Sequence, residues 1–214
     1  MRFYFVRHGE SEANLLNEFS NQDFTKHPLT ENGRAQAAAL AETLRAVKLT
    51  ALYASPLLRA QQTAEILNAP HGLPIQTSRA LVEHDAGELE GRSDPAAWDA
   101  YMNLFNAWIV QRDLDARIEG GESFNDLRAR FIPFIATLSE KYQGTDANIV
   151  LVAHGGIYHS MLPLLLTNVG YTFAYKHLLG NAAYVLAEQR DEGLVCLSWA
   201  DTKLTPAGSI VHEV

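Results

Sequence analysis

Arg2-Phe3-Tyr4-Phe5-Val6-Arg7-His8-Gly9-Glu10-Ser11 stands almost at the start of the chain, a strand-like run that ends abruptly in charged and flexible residues. Phe, Tyr and Val dominate positions 3 to 6, the composition of a β-strand. Arg7, His8 and Gly9 then stop the strand with charge, an imidazole and a flexible joint. The segment predicts a strand over Arg2 to Arg7, a turn, and a helix from about Ser11.

The same alternation continues outward. A helix is expected after Thr30, a good N-cap, as far as about Val47, with Leu40, Leu44 and Val47 on its buried stripe. Leu49 to Ala54 reads as a strand. Ser55-Pro56 opens another helix, Pro56 taking the first helical position. A short strand is expected at Arg79 to Glu83, and a helix from Asp94 to Val110 with Trp98, Tyr101, Met102, Phe105 and Ile109 on one face. Gly120-Gly121 breaks the chain before a helix from about Ser123 to Tyr142. Asn148 to Ala153 is apolar without alternation, as in a central strand covered on both faces, and His154-Gly155-Gly156 turns it into a helix. Strands near Ala183 to Ala187 and Leu194 to Trp199 complete the pattern. Alternating strands and helices imply a three-layer α/β/α sandwich with a mostly parallel central sheet.

Composition narrows the class. The chain has 214 residues, 47% hydrophobic and 20% charged. That suits one globular domain over 1–214, burying roughly 70% of its unfolded surface. A formal net charge of −8 disfavours nucleic acid and anionic lipid as partners. The single cysteine, Cys196, is expected as a small buried hydrophobe in a strand. The longest apolar run, Met161 to Leu166, holds Pro163 and is too short to span a bilayer. No targeting segment is evident, so a cytoplasmic location is expected.

The residues at the strand ends carry the chemistry. The first good strand delivers Arg7, His8 and Glu10, the second Ser55 with Arg59 just beyond it, and the late central strand His154 and Gly155. In open α/β sheets ligands bind outside the carboxyl ends of the strands. Two arginines and two histidines gathered there repel one another unless an anion joins them. Phosphate suits them, because guanidinium grips its oxygens as a planar fork and helix N-termini add backbone N–H groups. No Walker loop, no GxGxxG after a strand and no metal-spaced cluster is present, so the protein itself has to supply the nucleophile. His8, rigidly placed behind a strand, fits that role. The leaving oxygen needs a proton, for which Glu83 and Glu10 are candidates.

Longer motifs sharpen this reading. Arg7-His8-Gly9-Glu10-Ser11 with Asn14, Leu29-Thr30 with Gly33, Gln36 and Ala37, Ser55-Pro56-Leu57 with Arg59, Ala60, Thr63 and Ala64, Leu81 and Glu83 with Gly87, Glu90 and Gly91, Gly120-Gly121-Glu122-Ser123, and Val152-Ala153-His154-Gly155-Gly156 follow in order. Together they resemble the histidine phosphatase (phosphoglycerate mutase-like) superfamily, in its RHGE branch. The resemblance implies that His8 is phosphorylated, that Arg7, Arg59 and His154 hold the phosphoryl oxygens with Asn14 and the Gly155 N–H assisting, and that Glu83 donates and then takes back a proton. It implies no metal and no cofactor. It also implies a small helical cap insertion at about 93–120, where Trp98, Tyr101, Phe105 and Trp108 are offered either to a ligand or to the core. The segment Glu18 to His27 departs from the family's substrate loop, and His159 and His27 read as structural or surface residues.

The resulting expectation is a metal-independent phosphomonoester phosphatase acting through a phosphohistidine on a small phosphorylated substrate. The short span from Glu83 to His154, and the short stretch after Trp199, favour it over a cofactor-dependent phosphoglycerate mutase, the alternative. A non-catalytic phospho-ligand binding protein is the third reading.

Overall fold

The computed structural model describes residues 1–211. Among them, seven strands make one sheet: β1 (Arg2–Arg7), β2 (Ala51–Ala54), β3 (Ile75–Thr77), β4 (Asn148–Ala153), β5 (Tyr184–Arg190), β6 (Gly193–Trp199) and β7 (Thr202–Lys203). Their order is β3-β2-β4-β1-β5-β6-β7. The first four in that order run parallel, and β5, β6 and β7 extend the sheet antiparallel beyond β1. The helices are α1 (Glu12–Leu16), α2 (Glu31–Leu44), α3 (Leu58–Asn68), α4 (Pro95–Asn106), α5 (Phe124–Lys141), α6 (Gly155–Leu165) and α7 (Tyr171–Lys176).

Strand periodicity distributes the core over both faces. Phe3, Phe5, Ile149 and Leu151 point to one side, where they meet Phe131 and Ile135 of α5 and Tyr158 and Met161 of α6. Tyr4, Val6, Val150 and Val152 point to the other, against Leu40 and Leu44 of α2 and Ala60, Ala64 and Leu67 of α3. This is the three-layer α/β/α sandwich that the alternation of elements predicts. Cys196 is buried within β6.

Several local expectations are corrected. The helix after Ser55-Pro56 begins only at Leu58. Ser55 Oγ is engaged with His154 Nε2 and the Leu57 N–H, and Leu57 is buried with extended backbone, so the chain finishes its bend before coiling. Residues Arg79–Leu81 form a 3₁₀ turn rather than a strand. The carbonyls of Ala80 and Val82 bond the guanidinium of Arg130 instead of a neighbouring strand. The edge strand lies earlier, at Ile75–Thr77, too short and too polar to be read from pattern. The Asp94–Val110 helix is α-helical to Asn106 and widens into a π-helical turn over Ala107–Gln111.

Candidate active site

Strand register brings the functional termini level. Arg7 pairs with Ala153, and Ala54 with Val152. One residue further, the His8 N–H bonds Ala153 O at 3.0 Å and the Ser55 N–H bonds Val152 O at 2.9 Å. His8, Ser55 and His154 therefore leave the sheet side by side. β1 leads to α2 on one face and β4 to α6 on the other, so the gap between them is a topological switch point.

His8 is held by both ring nitrogens. Nδ1 donates to Gly9 O at 2.7 Å, and a carbonyl only accepts, so the proton sits on Nδ1 and the lone pair on Nε2. Arg59 Nε donates to that Nε2 at 3.2 Å. Burial first, then the charges of Arg59 and Arg7, push the imidazole well below its ordinary pKa of 6.5. His8 is thus a neutral base with an oriented lone pair. The peptide behind it is fixed by Thr63, whose hydroxyl accepts the Gly9 N–H at 3.0 Å. Gly9 is obligatory here, because a Cβ would lie 2.4 Å from Gly33 O.

Arg59, near the start of α3, is buried and anchored by Ser20 O at 2.8 Å and Asn21 Oδ1 at 3.3 Å. Burial lowers its pKa to about 10, which leaves it charged at neutral pH. Arg7 bonds Leu179 O at 2.7 Å through Nη1, and its buried Nε has no hydrogen-bond partner. Leu179 in turn donates its N–H to His159 Nε2 at 3.1 Å, so buried His159 supports the loop that orients Arg7. Asn14 Oδ1 accepts from Ser11 N–H, Ser11 hydroxyl and Asn181 Nδ2, which leaves the Asn14 NH₂ as the end free to donate.

Glu83 reaches the same place from the opposite side. Its carboxylate accepts the N–H groups of Gly156 and Ile157, both at 2.7 Å, at the start of α6. Its backbone is positioned by Arg130, which bonds the carbonyls of Ala80, Val82 and Glu83. Arg130 itself is gripped bidentately by Glu122 at 2.7 and 2.9 Å. Glu10 turns away: it accepts from the Thr30 hydroxyl at 2.7 Å.

A cavity of about 340 Å³ unites these groups. Arg7, His8, Asn14, Arg59, Glu83 and Gly155 line its polar end. His154 does not line it. Fully buried, its ring lies 5.1 Å from that of His8, with Nε2 bonded to Ser55 Oγ at 2.8 Å and Nδ1 without a partner. Burial and the nearby cations keep His154 neutral, its pKa far below 6.5. The other end of the cavity is walled by Phe19 and by Trp98, Tyr101, Met102 and Phe105 of α4. Trp108 packs into the core instead and donates its indole N–H to Ala116 O.

Some supports were legible only as motif letters. Glu90 accepts the Asn21 N–H, Glu122 fixes Arg130, and Thr63 fixes Gly9. Asn21 and Arg130 carry no sequence signal at all, because each acts through contacts across long sequence separations. Among the described residues no group of three or more His, Cys, Asp and Glu side chains is placed to hold a metal ion. No helix among them is long and apolar enough to cross a membrane.

A strand-end histidine with one oriented lone pair, a buried and a part-buried arginine, and a carboxylate make a site able to transfer a phosphoryl group. The chain belongs to the histidine phosphatase superfamily (branch 1), whose model matches residues 3–202. It is 35% identical over 170 residues to a 2,3-bisphosphoglycerate-dependent phosphoglycerate mutase of Methylobacterium radiotolerans, covering 75% of this chain and 76% of that one. Its fold matches a mycobacterial glucosyl-3-phosphoglycerate phosphatase in complex with VO3, with a TM-score of 0.77, 28% identity and coverage of 93% and 98%. It also matches an alpha-ribazole phosphatase from Shigella flexneri, with a TM-score of 0.74, 27% identity and coverage of 92% and 94%.

Proposed function

We infer that this protein is a phosphomonoester phosphatase working through phosphorylated His8. The observation that carries the reading is the Nδ1–H bond to Gly9 O, which leaves a neutral His8 Nε2 lone pair facing two arginines at the polar end of the cavity. The Nε2 lone pair attacks phosphorus as the bond to the leaving oxygen breaks. The electron pair of that bond goes to the leaving oxygen, and Glu83 in its acid form protonates it. Arg7, Arg59, Asn14 and the Gly155 N–H oppose the charge on the equatorial oxygens, the main electrostatic contribution in such transfers. His154, beside His8 but behind the cavity wall, supports the nucleophile's ring. Glu83, now ionised, takes a proton from water as that water attacks phosphorus, and the P–N bond breaks to return neutral His8 and inorganic phosphate.

Hydrolysis is favoured over mutase chemistry by the charge of the cavity. Among the described residues that line it, Arg7 and Arg59 are its only Arg or Lys side chains. Both are needed for the transferring group. A bisphosphoglycerate brings a second phosphate and a carboxylate, which would meet Glu18 and no further cation. Met102 and Leu178 at the cavity are 60% and 72% exposed, so water has access.

The test is phosphate release from a panel of phosphomonoesters in chelator, comparing wild type with His8→Ala, with 3-phosphoglycerate included and 2-phosphoglycerate monitored. Release that disappears in the variant supports the reading. Interconversion of phosphoglycerates with little release would replace it by the mutase reading.

A further inference from the structure

Beyond the phosphoryl-binding end, the cavity changes character. Phe19, Trp98, Tyr101, Met102, Phe105 and Leu178 make up half of its remaining lining residues, alongside the polar Glu18, Asn21, His159 and Tyr175. The aromatic part is a packed platform. Phe19 lies 4.4 Å from Trp98 and 4.9 Å from Tyr101, ring centroid to centroid, and Tyr101 lies 4.9 Å from Phe105. Trp98 is also fixed by an indole N–H bond to Asn17 O at 2.9 Å, tying α4 to the turn after α1. The wall is therefore preformed, so a ligand does not have to order it.

The wall is not simply spare core. Trp98 is 36% exposed, Met102 60% and Leu178 72%. Large apolar side chains left open around a cavity mark a surface that an apolar ligand covers. Charge points the same way. The carboxylate at this end is Glu18, engaged with His27 at 3.0 Å, and no Lys or Arg joins it among the described lining residues.

We propose that the group carried by the phosphate is uncharged and apolar, an alkyl, prenyl or aryl body lying along Trp98, Met102 and Phe105, rather than a polyol or a carboxylate-bearing acid. This rests on the phosphatase reading for its chemistry, but its binding half is measurable without turnover.

Two series test it. In the first, ethyl-, butyl- and hexylphosphonate, which cannot be hydrolysed, are titrated calorimetrically into the wild-type protein. A fully buried methylene strengthens binding by about fourfold, so affinity is expected to rise at least about tenfold from ethyl to hexyl. Trp98→Ala and, independently, Met102→Lys are expected to weaken hexylphosphonate more than ethylphosphonate. Met102 is 60% exposed, so Met102→Lys tests the wall without touching the packing of Trp98 on Phe19, and a thermal melt checks the fold of Trp98→Ala. In the second, kcat/KM is compared for butyl and hexyl phosphate, glycerol 3-phosphate and 3-phosphoglycerate, whose leaving groups are all alkoxides of similar difficulty. The hexyl ester is expected to lead.

Equal phosphonate affinities, or a lead for 3-phosphoglycerate, overturn the proposal while leaving a phosphatase in place. A steep phosphonate series with no phosphate released from any ester supports the apolar subsite and overturns the phosphatase reading instead.

Discussion

Arg59 Nε sits 3.2 Å from His8 Nε2, the nitrogen whose lone pair would have to reach phosphorus in the proposed reaction. After burial, the charge of this guanidinium is the next cause that lowers the His8 pKa, and the same group would stand beside the place where charge develops in that reaction. An arriving phosphoryl group offers Arg59 a better acceptor than an imidazole, and the hydrogen bond passes from His8 to the anion. The lone pair is uncovered by the event that requires it.

This relationship predicts a pH signature. Arg59 is among the charges that lower the His8 pKa, and only neutral His8 can attack. The acid limb of kcat/KM is expected below pH 6.5 in the wild type. Arg59→Gln removes one depressing charge, so the limb should move to higher pH, with kcat/KM reduced about 10²- to 10³-fold as for loss of a principal oxyanion donor. Substrate ionisation is common to both enzymes, so the difference between profiles is the readout. An unmoved limb would show that His8 is not the titrating group.

Glu83 and its clamp make a second prediction. Glu83→Gln should slow alkyl phosphates by about 10²-fold or more, and aryl phosphates far less, since phenolates leave without much help. Arg130→Ala should reproduce that selectivity in weaker form, because it frees the carbonyls of Ala80, Val82 and Glu83 and lets the carboxylate drift. Arg130→Lys should rescue poorly, having no planar fork for Glu122. A uniform loss on both substrate types, tracking a lowered Tm, would reduce Arg130 to a purely structural role.

Two glycines separate folding from catalysis. Alanine normally stabilises a helix interior by about 1 kcal/mol over glycine. At Gly33 in α2 a Cβ would stand 1.9 Å from Glu10 O, so Gly33→Ala should destabilise strongly or prevent folding, as thermal melts would show. At Gly156 the nearest atoms to an added Cβ belong to the Glu83 carboxylate, at 2.8 Å, the far end of a side chain rather than backbone. Gly156→Ala should keep its Tm within a few degrees while losing activity on alkyl esters. Full activity would mean that Glu83 works away from the α6 terminus.

Acid should loosen the fold. His8, His84, His154 and His159 all have pKa values lowered first by burial. Below pH 6.5 the unfolded chain binds protons that the folded chain refuses, so their stabilisation is complete above pH 6.5 and is lost as pH falls. The loss approaches about 1.4 kcal/mol per pH unit for each histidine still neutral in the fold. Tm measured at pH 7, 6 and 5 should drop progressively; a constant Tm would contradict the neutral state of these rings.

The layer architecture, and the residue types gathered at the strand ends, were legible in the sequence. Strands such as Arg2–Arg7 and Asn148–Ala153 are legible because burial on one or both faces writes a local pattern, and the strand ends name Arg7, His8, Arg59 and His154 because α/β topology always exposes those ends. Glu83 was one of two candidate acids, and only the family motif chose it over Glu10, since the short 3₁₀ turn before it has no periodicity. How these groups are aimed follows from the packing of the folded chain. The Arg59–His8 bond, the hold of Arg130 on the Glu83 loop and the burial of His154 against Ser55 depend on contacts between residues tens of positions apart, and the proton on His8 Nδ1, though set by the neighbouring Gly9 O, depends on a ring rotamer that no sequence pattern records. The apolar wall was undecided for the same reason: a helical stripe looks alike whether core or ligand covers it, and only packing sent Trp108 inward and left Trp98 and Met102 open.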